Sequence, residues 1–331
     1  MRVKTGLLVS VTLLAFLTGG PVVAAIGDTQ TFSDGGMPVI GQAFDCPEPC
    51  LANGWYFGFG ELAGVAFDAG EEGTGDHALV HNSGGIGFHF FTYAGYEIFD
   101  ANFLGNLLEA GVVAVRFRAR HSGIGDSIVL RAFLFDTFDD GVGADSVDWA
   151  ISDGSATIAN TGTGTTWQTY EISLRVSDME SGAFVGTPPT VEEILSGVAQ
   201  FGLRHDPNFT GPGVPAWLLA AVYFDDIQLI LDSDADGVAD DDDFCADTSI
   251  PEAVPSVTLL PNHWALTDDD DPFDFDTVIV GKGPNRSYTV EDTAGCSCEQ
   301  IIEIQGFNAG HMMYGCSIGV MDHWIDVVNT P

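Results

Sequence analysis

Residues 112–120 read VVAVRFRAR. Apolar side chains alternate with arginines. Val113, Val115, Phe117 and Ala119 fall on one face of an extended chain, and Arg116, Arg118 and Arg120 on the other. A period of two is the signature of a half-buried β-strand. The same texture recurs in IVLRAFLF (128–135), WQTYEISL (167–174), VAQFGLR (198–204) and AAVYFDDIQLIL (220–231). Clusters of Gly, Asp, Asn and Thr such as DTFDDGVGAD and NTGTGTT separate them and read as turns. Two short helices are expected. DANFLGNLLEAG has Asp100 as N-cap and Gly111 as stop. TVEEILSG has Thr190 as cap, Glu193 three residues later and Gly197 as stop. Many strands with few helices predict a mainly β sandwich over residues 26–231.

The pair WQTYEISL (167–174) and AVYFDDIQL (221–229) resembles the closing half of galactose-binding-like jelly rolls, which include carbohydrate-binding modules and the laminin-type domain of secreted bacterial proteins. The resemblance implies a jelly-roll β-sandwich that binds a glycan or an extracellular protein. It transfers no contact residue, because a site must be argued from its own chemistry. Aromatic rings stack on the apolar faces of sugars, and equally fill sandwich cores. Among Trp55, Tyr56, Phe57, Phe59, Trp149 and Trp217, Trp55 is the candidate glycan contact, because Gly54, Gly58 and Gly60 make its neighbourhood a loop or edge.

The N-terminus sets the expected compartment. Arg2 and Lys4 precede the apolar run GLLVSVTLLAFL, and Val23-Ala24-Ala25 supplies small residues for cleavage. This pattern reads as a signal peptide over residues 1–25, with an apolar core too short to span a membrane comfortably. The protein is therefore expected outside the cell or at its surface, with no membrane insertion once the signal is removed. Lys plus Arg number 10 against 48 Asp plus Glu, a net charge of −38. Such a surface repels nucleic acid and anionic lipid and attracts divalent cations. Disorder is not expected, because 45% hydrophobic and 11% aromatic residues suffice for a core.

Six cysteines in an exported chain predict disulfides. Cys46 and Cys50 in DCPEPC are expected to form a local bridge. Cys296 and Cys298 are too close to pair with each other, so each takes one of Cys245 and Cys316, leaving two connectivities open. A four-thiolate zinc site is the alternative, but the spacing lacks paired CxxC.

Residues 232–245 read DSDADGVADDDDFC. With Asp232 at position one of a calcium loop, Asp234, Asp236, Asp240 and Asp243 fall at three, five, nine and twelve. Gly237 falls at six, and the Val238 carbonyl at seven. Calcium takes six to eight oxygens at about 2.3–2.6 Å, and this order wraps them around one point. An EF-hand has Glu at twelve and flanking helices; here Asp243 stands at twelve, a strand precedes and prolines follow. The form D-x-D-x-D-G-x-x-D-x-x-D-x-C instead resembles a thrombospondin type 3 repeat, here over residues 232–250. The resemblance implies aspartates and backbone around Ca2+, with Cys245 in a disulfide. Such repeats usually occur in series, and here there is one. The other reading is a solvated acidic linker.

Residues 249–270, 291–303 and 310–325 resemble a C-terminal module of secreted bacterial proteins that carry the same repeat, which implies company and no chemistry. From the residues, VTLLPNHWAL and YTVED read as strands, and CSCEQIIEIQ and SIGVMDHWIDVV as amphipathic helices. Together they predict a small disulfide-linked α+β module over residues 251–331. DDDDPFDFD (268–276) lacks the alternating order and the Gly, and reads as a solvated loop.

Catalytic motifs are absent: no HExxH, no GxSxG and no phosphate loop occur. His77, His81 and His89 lie close in sequence and read as structural rather than metal-binding. Two functions follow as expectations. The first is a secreted, non-catalytic calcium-binding protein that binds glycan or extracellular matrix and serves adhesion. The second is a secreted polysaccharide hydrolase with its carboxylates among the many aspartates. A structural surface protein is a third.

Overall fold

In the computed structural model, Val115, Phe117 and Ala119 are fully buried while Arg116, Arg118 and Arg120 are half-buried on the opposite face. The structure describes residues 101–136, 148–160, 162, 166–183, 187–208, 219–267 and 288–330, with residue 71 and the strand segments 56–57, 61–62, 64–66, 78–84, 89–93 and 276–277.

The strands in order are β1 (Tyr56–Phe57), β2 (Glu61–Leu62), β3 (Gly64–Ala66), β4 (Ala78–Gly84), β5 (His89–Tyr93), β6 (Val112–Gly125), β7 (Ile128–Asp136), β8 (Asp148–Ser152), β9 (Ala156–Ile158), β10 (Gln168–Ser173), β11 (Met179–Ala183), β12 (Val198–His205) and β13 (Leu219–Leu231). All their pairings are antiparallel. One sheet runs β11-β8-β7-β12-β5-β1-β2, with β9 on β7; the other runs β10-β6-β13-β4-β3. The fold is a mainly β jelly-roll sandwich.

The inner faces meet in one apolar core. Val115, Phe117, Ile172, Val222, Phe224 and Leu229 come from the five-stranded sheet, and Ile128, Leu130, Leu134, Ala150, Phe201 and Leu203 from the larger one. Phe117 packs on Phe224 and Tyr170 with ring centroids 5.9 and 5.7 Å apart. Strand β13 keeps its apolar side inward only by changing phase. Val222 and Phe224 point in before the Asp225-Asp226 step, Ile227 and Leu229 after it. A bulge there shifts the β6 register, with Asp226 at φ 48°.

Three local expectations are corrected. Val113 is only half-buried, because the ladder between β6 and β13 skips it, pairing Ala114 with Ile230 and Val112 with Leu231. The helix expected at 100–111 is a 3-10 turn at Ala101–Phe103 followed by turns. Its backbone bonds instead to Leu195 and Val198. YTVED holds no strand among its residues; a 3-10 turn at Glu291–Thr293 follows Val290. The other expected helix forms as α1 (Val191–Leu195), with Thr190 and Glu193 making the reciprocal capping box.

Beyond β13 the chain forms the acidic loop and then β14 (His263–Ala265), β15 (Asp276–Thr277), α2 (Cys298–Ile304), α3 (Ala309–Tyr314), β16 (Cys316–Ser317) and α4 (Ile318–Val328). The helices at 298–304 and 318–328 match the sequence pattern, the strand expected over VTLLPNHWAL is reduced to 263–265, and α3 is an addition. A second core joins Val238, Cys245, Val254, Trp264, Val290, Ile301, Met321 and Trp324. Cys245 pairs with Cys296 and Cys298 with Cys316, selecting one of the two open connectivities. Cys46 and Cys50 lie outside the described residues, as does the expected signal peptide. No helix among the described residues is long and apolar enough to cross a membrane.

Candidate functional site

The acidic loop starts on the residue after β13. Asp234 Oδ1 accepts from the Asp236 N–H at 3.3 Å, Asp236 Oδ1 from the Val238 N–H at 2.8 Å, and Asp232 Oδ2 from the Gly237 N–H at 3.0 Å. These short-range bonds curl the chain and direct the carboxylates to one side. Ala235 and Gly237 take up the turn at φ 60° and 103°. Oxygens of Asp232, Asp234 and Asp236 come within 4.8 Å of one another.

Two of these acids are buried to an unusual degree: Asp232 is 2% exposed and Asp236 0%. Asp232 Oδ1 and Asp236 Oδ2 have no hydrogen-bond partner among the described residues. Burial pushes the pKa of Asp236 up to about 7, with Asp234, Asp243 and Asp232 pushing the same way; burial also raises Asp232 and Asp243. Buried, unpaired carboxylate oxygens aimed at one another are costly without a counter-ion. The residues therefore fit a hard divalent cation.

The other sequence candidates lie around this cluster in different ways. Asp243 Oδ1 accepts from the Cys245 N–H at 2.7 Å. Asp240 turns to Ser233, accepting from its N–H at 2.7 Å and its hydroxyl at 2.6 Å. Val238 buries its side chain in the second core. Two residues that sequence reasoning missed complete the surroundings. Arg175 donates through Nη1 to Asp232 Oδ2 at 3.3 Å and through Nη2 to the Gly237 carbonyl at 2.7 Å. On the opposite side, a methyl on Gly295 would sit 1.8 Å from Asp243 Oδ1 and 3.2 Å from Asp236 Oδ2. Only glycine, at φ 81°, fits there.

The arginine row of β6 leads to this loop across the outer face of the five-stranded sheet. Pairing places Tyr223 beside Arg120, Thr169 and Asp225 beside Arg118, and Glu171 and Gln228 beside Arg116. The Arg120 guanidinium lies over the Tyr223 ring at 3.9 Å and the Trp167 ring at 5.2 Å. Burial lowers its pKa, while Tyr223 pulls the other way. Arg118 pairs with Glu71. Arg116 bonds Glu171 at 3.0 Å and reaches Asp241 and Asp242 at 3.4 and 3.6 Å. At the end of the row lies a cavity of about 440 Å³, walled by the sandwich on one side and by residues 237–239 of the loop on the other.

The outer face of the larger sheet is a poorer platform. Phe133, Ile151 and Arg204 there are 5%, 1% and 4% exposed, so they are covered. Trp149 is half-buried and lies flat against Gly182, where a methyl would meet its ring at 2.1 Å. Trp55, Trp217, His77 and most of residues 268–276 lie outside the described residues. His81 and His89 sit on strands of different sheets.

No family model matches the sequence, and no curated protein matches it. Among solved structures the chain is similar to the CBM22-1 xylan-binding domain of Paenibacillus barcinonensis Xyn10C. That match has 13% identity and a TM-score of 0.34, and covers 62% of this chain and 95% of that one. It is similar also to the family 11 carbohydrate-binding module of the cellulase Lic26A-Cel5E of Clostridium thermocellum, at 17% identity and a TM-score of 0.32 over 56% and 92% of the two chains. A third is the K2 cleaved adhesin domain of Lys-gingipain, at 12% identity and a TM-score of 0.31 over 61% and 98%.

Proposed function

We propose that this protein is a secreted, non-catalytic glycan-binding protein that serves adhesion to polysaccharide or matrix, with Ca2+ held in the loop at 232–243. The observation that carries the glycan reading is the Trp167–Arg120–Tyr223 stack on the outer face of the five-stranded sheet. Half-exposed rings offer apolar surface to a pyranose beside the guanidinium they hold, and Thr169, Glu171 and Gln228 along the same face offer hydrogen bonds to its hydroxyls. The acids of this face serve the arginines, Glu171 with Arg116 and Glu71 with Arg118, which suits binding better than proton transfer. For the ion, Asp232, Asp234 and Asp236 supply the central oxygens, and the Val238 carbonyl, Asp240 and Asp243 complete the set implied by the sequence. The ion's chemistry here is charge neutralisation: it turns mutual repulsion of buried carboxylates into ligation.

The test is a polysaccharide and glycan screen with the wild-type protein and with Trp167→Ala and Tyr223→Ala. Binding by the wild type, weakened by either substitution, supports the reading. Binding that ignores both substitutions moves the site elsewhere, and no binding to any glycan rejects the function.

A further inference from the structure

The cavity beside the loop has a composition of its own. Its floor is aliphatic, with Ala114 and Ile230 at 4% and 2% exposure. Its rim carries Arg116, Ser173 and the carboxylates of Glu171, Asp178, Asp242 and Glu291. Four carboxylates against two guanidiniums, Arg116 and Arg175, leave an acidic excess in a chain that is acidic throughout. An anionic ligand is repelled there, whereas the hydroxyls of a neutral ring can donate to the carboxylates around an apolar floor, with Arg116 already bonded to Glu171, Asp241 and Asp242 and the Ser173 hydroxyl to Asp178. The volume falls within the range of about 300–1,000 Å³ common to small-molecule sites.

We propose that this cavity seats one neutral sugar residue of the glycan bound along the arginine row, and that the ion in the loop gates it. This rests on the glycan reading above. The gating follows from where the wall comes from. Gly237, Val238 and Ala239 form one side and directly follow Asp236. Arg175 fixes that wall to the sandwich through the Gly237 carbonyl, and Arg116 is held from the loop side by Asp241 and Asp242. The ion orders the segment that carries all of these contacts without touching the sugar.

Calorimetric titration of the full chain settles it, with cellohexaose and xylohexaose as neutral probes and hexagalacturonate as the acidic one, in calcium or in chelator. Titration of calcium alone is run beside it. Ala239→Trp fills the cavity from the wall and leaves Trp167 and Tyr223 untouched; its melting temperature and calcium affinity report folding. The expected result is that a neutral probe binds, and loses about tenfold in affinity both in chelator and in Ala239→Trp, the equivalent of one or two hydrogen bonds. A neutral probe that binds equally in all these conditions, yet is lost in Trp167→Ala, overturns the cavity and keeps the glycan reading. Tighter binding of hexagalacturonate overturns the choice of a neutral sugar. Absence of calcium binding overturns the gating, and failure of both neutral probes with a wild type that binds another glycan in the screen overturns the cavity; only a screen without any binder overturns the glycan reading as well.

Discussion

The sandwich and the C-terminal module hold themselves together by different means. The sandwich joins two wide sheets over a continuous core that includes Phe103, Phe117, Phe201 and Phe224. The module gathers a shorter set of apolar residues, two disulfides and a network centred on a carboxylate. Both oxygens of Glu252 are used there. Oε1 accepts from the Leu266 and Cys298 N–H groups at 2.6 and 3.1 Å, and Oε2 from Glu299 at 2.6 Å. The difference follows from size: a small unit buries too little surface to outweigh its chain entropy and needs crosslinks or metals.

The sharpest break of this contrast is reduction. Opening Cys245–Cys296 and Cys298–Cys316, which close 51 and 18 residues, removes about 4 and about 3 kcal/mol on the loop-entropy account. Near-ultraviolet circular dichroism should show the module melting while the sandwich persists; joint melting would make the two one cooperative unit. In the sandwich the counterpart is Phe117→Ala, expected to cost about 3–5 kcal/mol in denaturant unfolding. A loss below about 1 kcal/mol would mean that the core is not organised around that ring.

Chelation comes next. At a hundredfold excess over Kd, calcium contributes about 2.7 kcal/mol, which chelator should remove as a lower melting temperature and as protease cleavage within 232–250. Asp236→Ala should reproduce this and abolish rescue by calcium. An unchanged protein in chelator leaves an acidic linker. The smallest effect concerns Glu252, whose pKa burial pushes up to about 7 although three N–H groups favour its ionised form. A carboxyl raised in the folded state stabilises below its unfolded pKa and loses that contribution as pH rises. The module should therefore weaken between about pH 4.5 and 7, with Glu252→Gln flattening the slope. A slope of opposite sign would show that the N–H donors outweigh burial.

Periodicity located the sandwich because a β-strand writes its buried face into every second residue, as Val115, Phe117 and Ala119 do. It misplaced Val113 and the turns after Asp100, where a skipped residue and bonds to a helix and a strand distant in sequence decide the outcome. In the acidic loop, Asp232, Asp234 and Asp236 were legible because the bonds that gather them span five residues or fewer. Arg175 and Gly295 were not: 57 residues separate Arg175 from Asp232, and nothing local marks either. The partners of Arg120 depend on strand register, which places Tyr223 and Trp167 beside it only once β6, β10 and β13 are aligned.

Strand β13 lies inside its sheet, with β6 on one side and β4 on the other, and runs directly into the acidic loop. A tether pulling on the C-terminal module therefore loads the sandwich at Leu231, along the strand axis. The β6 ladder takes that tension first, from Leu231 inward, and the β4 ladder shares it in shear only over residues 219–224. The module therefore hangs from a strand inside the sheet and not from one at its edge.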